Sequence, residues 1–560
     1  MKRNILKNSI IAGLFVGSMA LSSCTDLSET VFSQVPGDGS YEFTEKDIQA
    51  QYGTIYDRLR DMYDGWEGYQ DISQECCDLL MTPYRTYGGW GAQYVSLHKH
   101  EFHATINHLY RPWYSCYQGI NACNQLLDDE NISQNETAVA ELRTYRALFY
   151  YVLFDLWRNI PVSTTLNVPD GYMPEQETPE FTYNFIVTEV EESKPLLTKA
   201  VEKGQINYYG ACMLLAKMYL NHDAWFSGQE DSSYYGKAID EVNEVIKSGL
   251  YTLATSYREP FSVAGSNENI FELMYDNKYA GHGTNHFCKW FPSACKAVFG
   301  VTFDPWNGSA CVPQFFYTYD EDDSRKADTW KWGVQYDQSG NPIYDDDGTL
   351  VDLTPEVWAI ETPGAADYQG ARLWLYEIQS GNIGTSDDNV PFFRLTDAYF
   401  IKAECLLRLG GYKGETEQDA ADIVTMIRQR AFKSNPAKAT RTVADLKGGS
   451  VYDYGLRETQ GELDSDKNLI NVVNTETHEG GADIILGGLL DDLAWEFVYE
   501  HHRRQDLIRF KMTNGCNVFN GKSWFGKSAY TNPTDHHFDI FPILQDNLDA
   551  NPKLKQNPGY

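Results

Sequence analysis

The sequence predicts a mainly α-helical protein, a scaffold of tetratricopeptide-like helix pairs carrying a large, irregular, loop-rich layer. Three observations predict it. Apolar residues recur at three- and four-residue spacing in separate stretches up to residue 248, and again from 395 to 511. Two of those stretches place small residues where paired helices must approach closely. Between about 255 and 390 the periodicity stops, and Gly, Pro and Asp accumulate among tryptophans. A loop stretch of that length in a helical chain points to function or to a second layer.

Taken in order, residues from Cys24 to about Ser40 show no period and read as a tether. Thr44 is a helix N-cap with Asp47 at capping-box spacing, and Ile48, Tyr52, Ile55 and Leu59 then share one face. Residues 65–100 break the pattern, with Gly65, Gly68, Pro83, Gly88, Gly89 and Gly91 among Trp66, Tyr69, Tyr84, Tyr87, Trp90 and Tyr94. This reads as a long aromatic loop region. Leu142, Tyr145, Phe149, Val152 and Leu156 mark a helix that Asn159-Ile160-Pro161 stops. Further helices are expected over 181–198, 208–225 and 234–248. Leu215-Ala216-x-x-Tyr219 followed by Ala238-x3-Val242-x2-Val245 is close to the tetratricopeptide pattern, and a second copy lies at Ala403-Glu404-x-Leu406 with Ala421-x2-Val424. Helical patterning returns at 395–432 and 484–511. In the last stretch Glu496, Glu500, Arg503, Asp506 and Arg509 have the spacing of neighbours on one helix.

The N-terminus carries an address. Lys2, Arg3 and Lys7 precede an apolar run from Ile10 to Leu21, which leads into Leu21-Ser22-Ser23-Cys24. The run is too short to remain as a spanning helix. The arrangement is that of a bacterial lipobox, so residues 1–23 are expected to be a signal peptide and Cys24 the site of lipid (palmitate) attachment. Several acyl chains on one residue suffice for stable anchoring, so contact with the membrane is expected through this lipid only.

The chain has 79 acidic against 46 basic residues and a formal charge of -33. Such a surface repels polyanions, so nucleic acid is not an expected partner. With 38 Tyr, 13 Trp and 27 Phe, the composition suits recognition of amphipathic molecules such as sugars. Eleven cysteines without a CxxC motif, and with Cys76 beside Cys77, read mostly as small buried apolar residues. His98-Lys-His100-Glu-Phe-His103 lacks the spacing of a zinc-protease helix and reads as polar surface or lid, with no metal site assigned. Asp320–Asp323 and Asp345–Asp347 fit no EF-hand and read as solvated acidic loops, leaving a structural calcium as the one cofactor open to the chain. No phosphate-binding loop or nucleophile elbow is read in it.

Four blocks carry a family resemblance. They are Glu141–Tyr151 (Glu-Leu-Arg-Thr-Tyr-Arg-Ala-Leu-Phe-Tyr-Tyr) running to Asp155–Val162, Phe393–Leu407 with Ile427–Ala431, Trp495–Phe510, and Phe541-Pro-Ile543 with the closing Asn551-Pro and Gln556-Asn-Pro-Gly-Tyr560. With the lipobox, they resemble the SusD/RagB outer-membrane glycan-binding lipoproteins of Bacteroidetes from end to end. The resemblance implies the SusD-like fold, with an N-terminal helix-repeat region over 24–255 and a C-terminal region over 256–560 holding the loop-rich insertion. It implies a non-enzymatic protein, lipid-anchored in the cell outer membrane and facing the exterior. Such a protein captures oligosaccharide and delivers it to a SusC-like TonB-dependent transporter. It further implies glycan contacts in the first aromatic loop, at Asp78, Tyr84, Arg85 and Trp90, and in the middle region, at Tyr279, Trp290, Trp306 and Arg372. A surface glycoside hydrolase, which needs two carboxylates about 5–10 Å apart, and a non-catalytic interaction scaffold stay open as alternatives.

Overall fold

The computed structural model describes residues 44–85, 90, 92–276, 286–360, 367–381, 387–465 and 469–560. Residues 1–23, expected to be a signal peptide, together with Cys24 and Tyr279 lie outside the described residues. The chain divides into a leading unit ending at Asp47 and a body from Ile48 to Tyr560. In the leading unit the Thr44 amide and hydroxyl both donate to Asp47 Oδ2, at 2.8 and 2.5 Å, as the capping spacing requires.

The body is built on helices α1 (Gly53–Tyr63), α2 (Tyr110–Leu127), α3 (Glu136–Trp157), α4 (Pro179–Ser193), α5 (Tyr208–Trp225), α6 (Ser233–Ser248), α7 (Leu395–Leu409) and α8 (Glu417–Arg428). Each packs on the next along two runs, α1 to α4 and α5 to α8, in the manner of stacked helix hairpins. Capping side chains define the ends. Asn135 accepts from the Ala138 amide at 3.0 Å to start α3, and Asn207 accepts from Tyr209 and Gly210 to start α5. Gly249 and Gly410, at φ of 66° and 72°, close α6 and α7 in the left-handed conformation. Helix α3 is buried on every side from Ala147 to Trp157, apolar but for the Asp155 carboxylate that Arg504 pairs, and forms the core of its run.

Two stretches depart from the sequence expectation. The aromatic loop region contains helices at Tyr69–Glu75 and Ala92–Lys99. All seven residues of the first are buried, including Gln70, Asp71, Ser73, Gln74 and Glu75, so the helix has no polar face and no period to read. The expected helix over 484–511 is two, Gly487–Glu496 and Arg503–Arg509. Between them Tyr499 and His501 take positive φ (62° and 59°). The charges predicted to pair along one helix therefore find partners elsewhere, apart from Asp506 with Arg509 at 2.7 Å.

The irregular layer is stitched by short antiparallel pairs. Asn269–Leu273 pairs with Val390–Arg394, Leu80–Met81 with Ala310–Cys311, and Trp330–Lys331 with Arg372–Leu373. A longer hairpin, Arg457–Leu463 with Leu469–Glu476, leaves Ile470, Val472 and Val473 exposed. No helix among the described residues is long and apolar enough to cross a membrane. The ten cysteines after Cys24 are buried, and among the described residues none is joined to another by a disulfide.

Buried ion pairs join the layer to the scaffold. Arg394, at the end of its strand, binds Glu500 through Nε (2.7 Å), and Glu268 (2.7 Å) and Glu496 (3.0 Å) through Nη1. Arg430, just past α8, reaches the same Glu268 and Glu496, and Arg325 adds a 3.2 Å contact to Glu496. On α7, Glu404 takes a two-pronged contact from Arg509 at 2.7 and 2.8 Å. Burial works to raise both carboxyls, but the guanidiniums outweigh it. Arg430 and Arg394 hold Glu268 at about 2, and Arg509 and Arg408 hold Glu404 at about 2.

A carboxylate whose folded value lies below its unfolded value of 4.5 adds stability above that pH and loses it as pH falls through the folded value. Urea midpoints followed against pH should therefore fall steeply between about 4.5 and 2. Glu268→Gln should cost on the order of 3 kcal/mol at pH 7 and flatten part of that fall, since it removes a charge shared by two buried guanidiniums and leaves them with Glu496 and Glu500 alone.

Candidate functional site

The exposed aromatic surface of the loop layer is centred on Trp66 and Trp306. Their rings meet edge to face at 5.1 Å between centroids and 60° between planes, and each residue keeps 36% of its surface in solvent. Large aromatics of a soluble chain are ordinarily drawn inside, so a paired, half-open indole surface is informative.

Local structure explains the placement. Trp66 follows an Asx turn in which the Asp64 carboxylate accepts from the Trp66 amide at 2.7 Å. Trp306 is clamped by its backbone: its amide donates to Cys288 O at 2.6 Å, and its carbonyl accepts from Trp90 Nε1 at 2.8 Å. Trp90 lies below, only 9% exposed, with its ring against Tyr94 and 6.4 Å from Trp306. Gly308 is required there, since a Cβ on it would lie 2.6 Å from the Trp90 ring.

Beneath this surface lies a fully buried cluster. The Lys289 ammonium sits between Asp71 and Glu75, at 2.7 Å from Glu75. Asp71 also accepts from the Tyr94 hydroxyl at 2.9 Å and the Glu67 amide at 2.9 Å, and lies 3.3 Å from His108 Nε2. Glu75 accepts from Thr82 and Ser309 hydroxyls, each at 2.7 Å. Burial opposes the Asp71 charge, but Lys289 and His108 hold its carboxyl well below the usual range. The cluster thus ties the Trp66 turn, the Tyr94 helix, Lys289 and the Ser309 segment that leads from Asn307 into the Ala310–Cys311 strand to one point.

Polar groups border the indoles. Asn307 Nδ2 donates to Asp367 Oδ1 at 3.2 Å, and Asn307 Oδ1 accepts from Arg372 Nη2 at 3.0 Å. Arg372 also donates to the carbonyls of Ser309 and Asp367, and Arg85 to those of Gly308 and Gln369. Burial pushes Arg372 down to about 9 and raises the half-buried Asp367 carboxyl, which Arg85 and Arg372 partly offset.

The predicted site residues separate into three groups. Tyr84 and Trp306 are exposed. Trp90, Arg85 and Arg372 gather at the same place as buried supports, so their side chains position the surface instead of forming it. Asp78 and Trp290 are corrections. Asp78 is enclosed and saturated, with Arg503 Nε and Nη2 each at 2.7 Å and the Tyr454 hydroxyl at 2.7 Å. Trp290 is wholly buried against Trp330 and Tyr499. Both have the residue type of a ligand contact but lie where no ligand reaches. Trp66, exposed beside Trp306, was not among the predicted residues; the signal that could have added it is Gly65-Trp66-Glu67-Gly68, an indole flanked by glycines in the aromatic stretch.

Other expectations also change. His98 and His100 are core residues, not surface, with the His100 ring 4.2 Å from that of Phe519. The acidic loops have partners of their own: Lys438 holds Asp320 and Asp322, Arg325 holds Asp323, and Asp345 accepts from its own turn and from Tyr368. Among the described residues no group of three or more His, Cys, Asp or Glu is placed to hold a metal. Residues 521–528, Gly-Lys-Ser-Trp-Phe-Gly-Lys-Ser, do have the letter spacing of a phosphate loop. There Lys527 is buried and donates to the carbonyls of Phe519, Asn520 and Lys522, an arrangement that leaves it no phosphate to meet.

Comparison with known proteins agrees with this architecture. The family model described as "SusD family" matches residues 365–560, and the one described as "Starch-binding associating with outer membrane" matches 69–220. The chain is 24% identical over 475 residues to the starch-binding protein SusD of Bacteroides thetaiotaomicron, covering 78% of this chain and 74% of that protein. A SusD superfamily protein from Parabacteroides distasonis superposes with a TM-score of 0.67 at 20% identity, over 93% of this chain and all of that one. Surface glycan-binding protein A from B. thetaiotaomicron, solved with laminarihexaose, superposes at 0.66 with 19% identity, over 92% and 99% of the two chains. The fold, the order of the blocks and these matches agree: the chain belongs to the SusD/RagB family.

Proposed function

We propose that this protein binds oligosaccharide at the cell surface without cleaving it and delivers it to a SusC-like TonB-dependent outer-membrane transporter. The observation that carries the reading is the half-exposed Trp66–Trp306 pair, held from below by Trp90. A pyranose face stacked on an indole contributes roughly 1–2 kcal/mol, whereas micromolar affinity needs about 8 kcal/mol. Two indoles are therefore not enough, and the half-buried Asp367 carboxylate beside them, held by Asn307, supplies hydrogen bonds to sugar hydroxyls. Tyr84 is exposed on the segment that leads to this surface and is proposed as a further contact. Tyr279 stays a proposed contact on the family resemblance.

Support also comes from the relatives, one named as starch-binding and one solved with laminarihexaose. The family model that covers residues 69–220 is described as associating with the outer membrane, which suits the lipid anchor proposed at Cys24. Transport partnership rests on family membership. A binding role without catalysis fits a receptor that must pass its cargo on intact.

Isothermal titration with starch- and laminarin-type oligosaccharides should give heats that Trp306→Ala or Trp66→Ala reduces at least about tenfold in affinity, with little change in melting temperature. Chromatography of the sugars after prolonged incubation should show no shortened products; cleavage would replace this reading with the hydrolase. Lys289→Met should lower stability by about 3–5 kcal/mol in urea unfolding and weaken sugar binding with it, because Asp71 and Glu75 would be left unpaired under the indoles.

A further inference from the structure

A second cavity lies away from the indole pair, where the C-terminal ends of α3 and α5 meet the start of α4. It has a volume of about 280 Å3, and Arg158, Trp225, Phe226, His536 and Asp539 line it, with Glu180 exposed among its lining residues. Sites for small organic ligands begin at roughly this size.

Arg158 is unusual in three respects. It is only 6% exposed, yet among the described residues no carboxylate lies within ion-pairing distance of it. The nearby acids are committed: Asp155 pairs with Arg504 at 3.1 Å, and Asp539 accepts from Asn517, Asn520 and His536. Among the described residues the guanidinium makes one hydrogen bond, from Nη1 to the Phe154 carbonyl at 2.7 Å, which leaves donors of the fork available. That guanidinium is fixed against two rings, 4.6 Å from the centroid of Phe154 and 5.0 Å from that of Trp225. Its backbone, finally, is in a tight γ-turn, with φ 62° and ψ -57° and the Asn159 amide donating to Trp157 O at 2.6 Å. This is the rarer, strained hand of that turn, and residues other than glycine adopt it at a cost.

An arginine buried without a counter-ion is expensive unless an anion completes it. A guanidinium fork matches a carboxylate in two parallel hydrogen bonds. Beside it, the half-buried indole of Trp225 offers a flat apolar wall of the kind a sugar ring covers. His536 occupies the Asp539 carboxylate at 2.8 Å, so that acid on the cavity wall is already neutralised by a partner of its own. We propose that this cavity is a second ligand site that takes a uronic acid residue, with Arg158 holding its carboxylate and Trp225 its ring face.

The test uses the full mature chain, titrated calorimetrically with D-glucuronate and D-galacturonate, and in parallel with D-glucose, D-galactose and acetate. Indole N–H resonances of 15N-tryptophan-labelled protein are followed in the same titrations. The expected result is a uronate response that shifts the Trp225 signal, with the neutral sugars and acetate at least about tenfold weaker. Arg158→Gly should abolish the response while melting at the same temperature or higher, because glycine takes this turn without strain. Arg158→Lys keeps the charge and loses the planar fork, so it should bind at least about tenfold more weakly; it serves as the second variant should the glycine form fail to fold. Trp306→Ala should leave uronate binding intact, which separates this site from the indole pair. The proposal is overturned if the wild-type chain gives no uronate response, if neutral sugars or acetate bind as well, if binding survives both Arg158 substitutions, or if Trp306→Ala removes it.

Discussion

One buried ammonium organises the exposed face of this protein. Lys289 lies between Asp71 and Glu75 with no access to water, so its charge is sustained chiefly by those two carboxylates and the hydroxyls that complete them, with the Tyr94 ring 4.9 Å away. Because the partners come from segments distant in sequence, satisfying this one cation fixes the Trp66 turn, the Tyr94 helix and the Ser309 strand relative to one another. The indole surface is the visible result. Loops ordinarily have freedom that would blunt a recognition surface; here the freedom is removed from underneath, leaving the rings themselves open.

The same device recurs where the loop layer meets the helix pairs. Arg394, Arg430 and Arg325 converge on Glu268, Glu496 and Glu500, and Arg503 closes on Asp78. Net contributions of buried ion pairs to stability are modest, because desolvation offsets attraction. Their value here is better described as register. Each guanidinium has a fixed set of acceptors, so a loop that settled one residue out of place would strand a charge in the interior.

Much of this was legible in the sequence, and the part that was not has a common cause. Helix ends at 208–225 and 233–248, and the second helix hairpin at 395–428, follow from apolar spacing and glycine stops, which are local signals. The helix at Tyr69–Glu75 was invisible because its polar residues face inward to partners far away in the chain. Asp78, Arg85 and Arg372 were picked out for chemistry suited to sugar, and all three are buried in structural roles. Residue type announced a polar partner correctly, but only the tertiary arrangement tells whether that partner is a ligand or the protein itself. Trp306 and Trp290 make the same point with identical side chains, one half open and one sealed.

The thiols and the guanidiniums together imply something about how such a chain endures. All ten cysteines of the described residues are sequestered, with none bridging another. Among those residues the long-range cross-links are therefore ionic, and they can open and re-form without an oxidant or an isomerase. Reducing surroundings leave that kind of stitching untouched, whereas acid unpicks it.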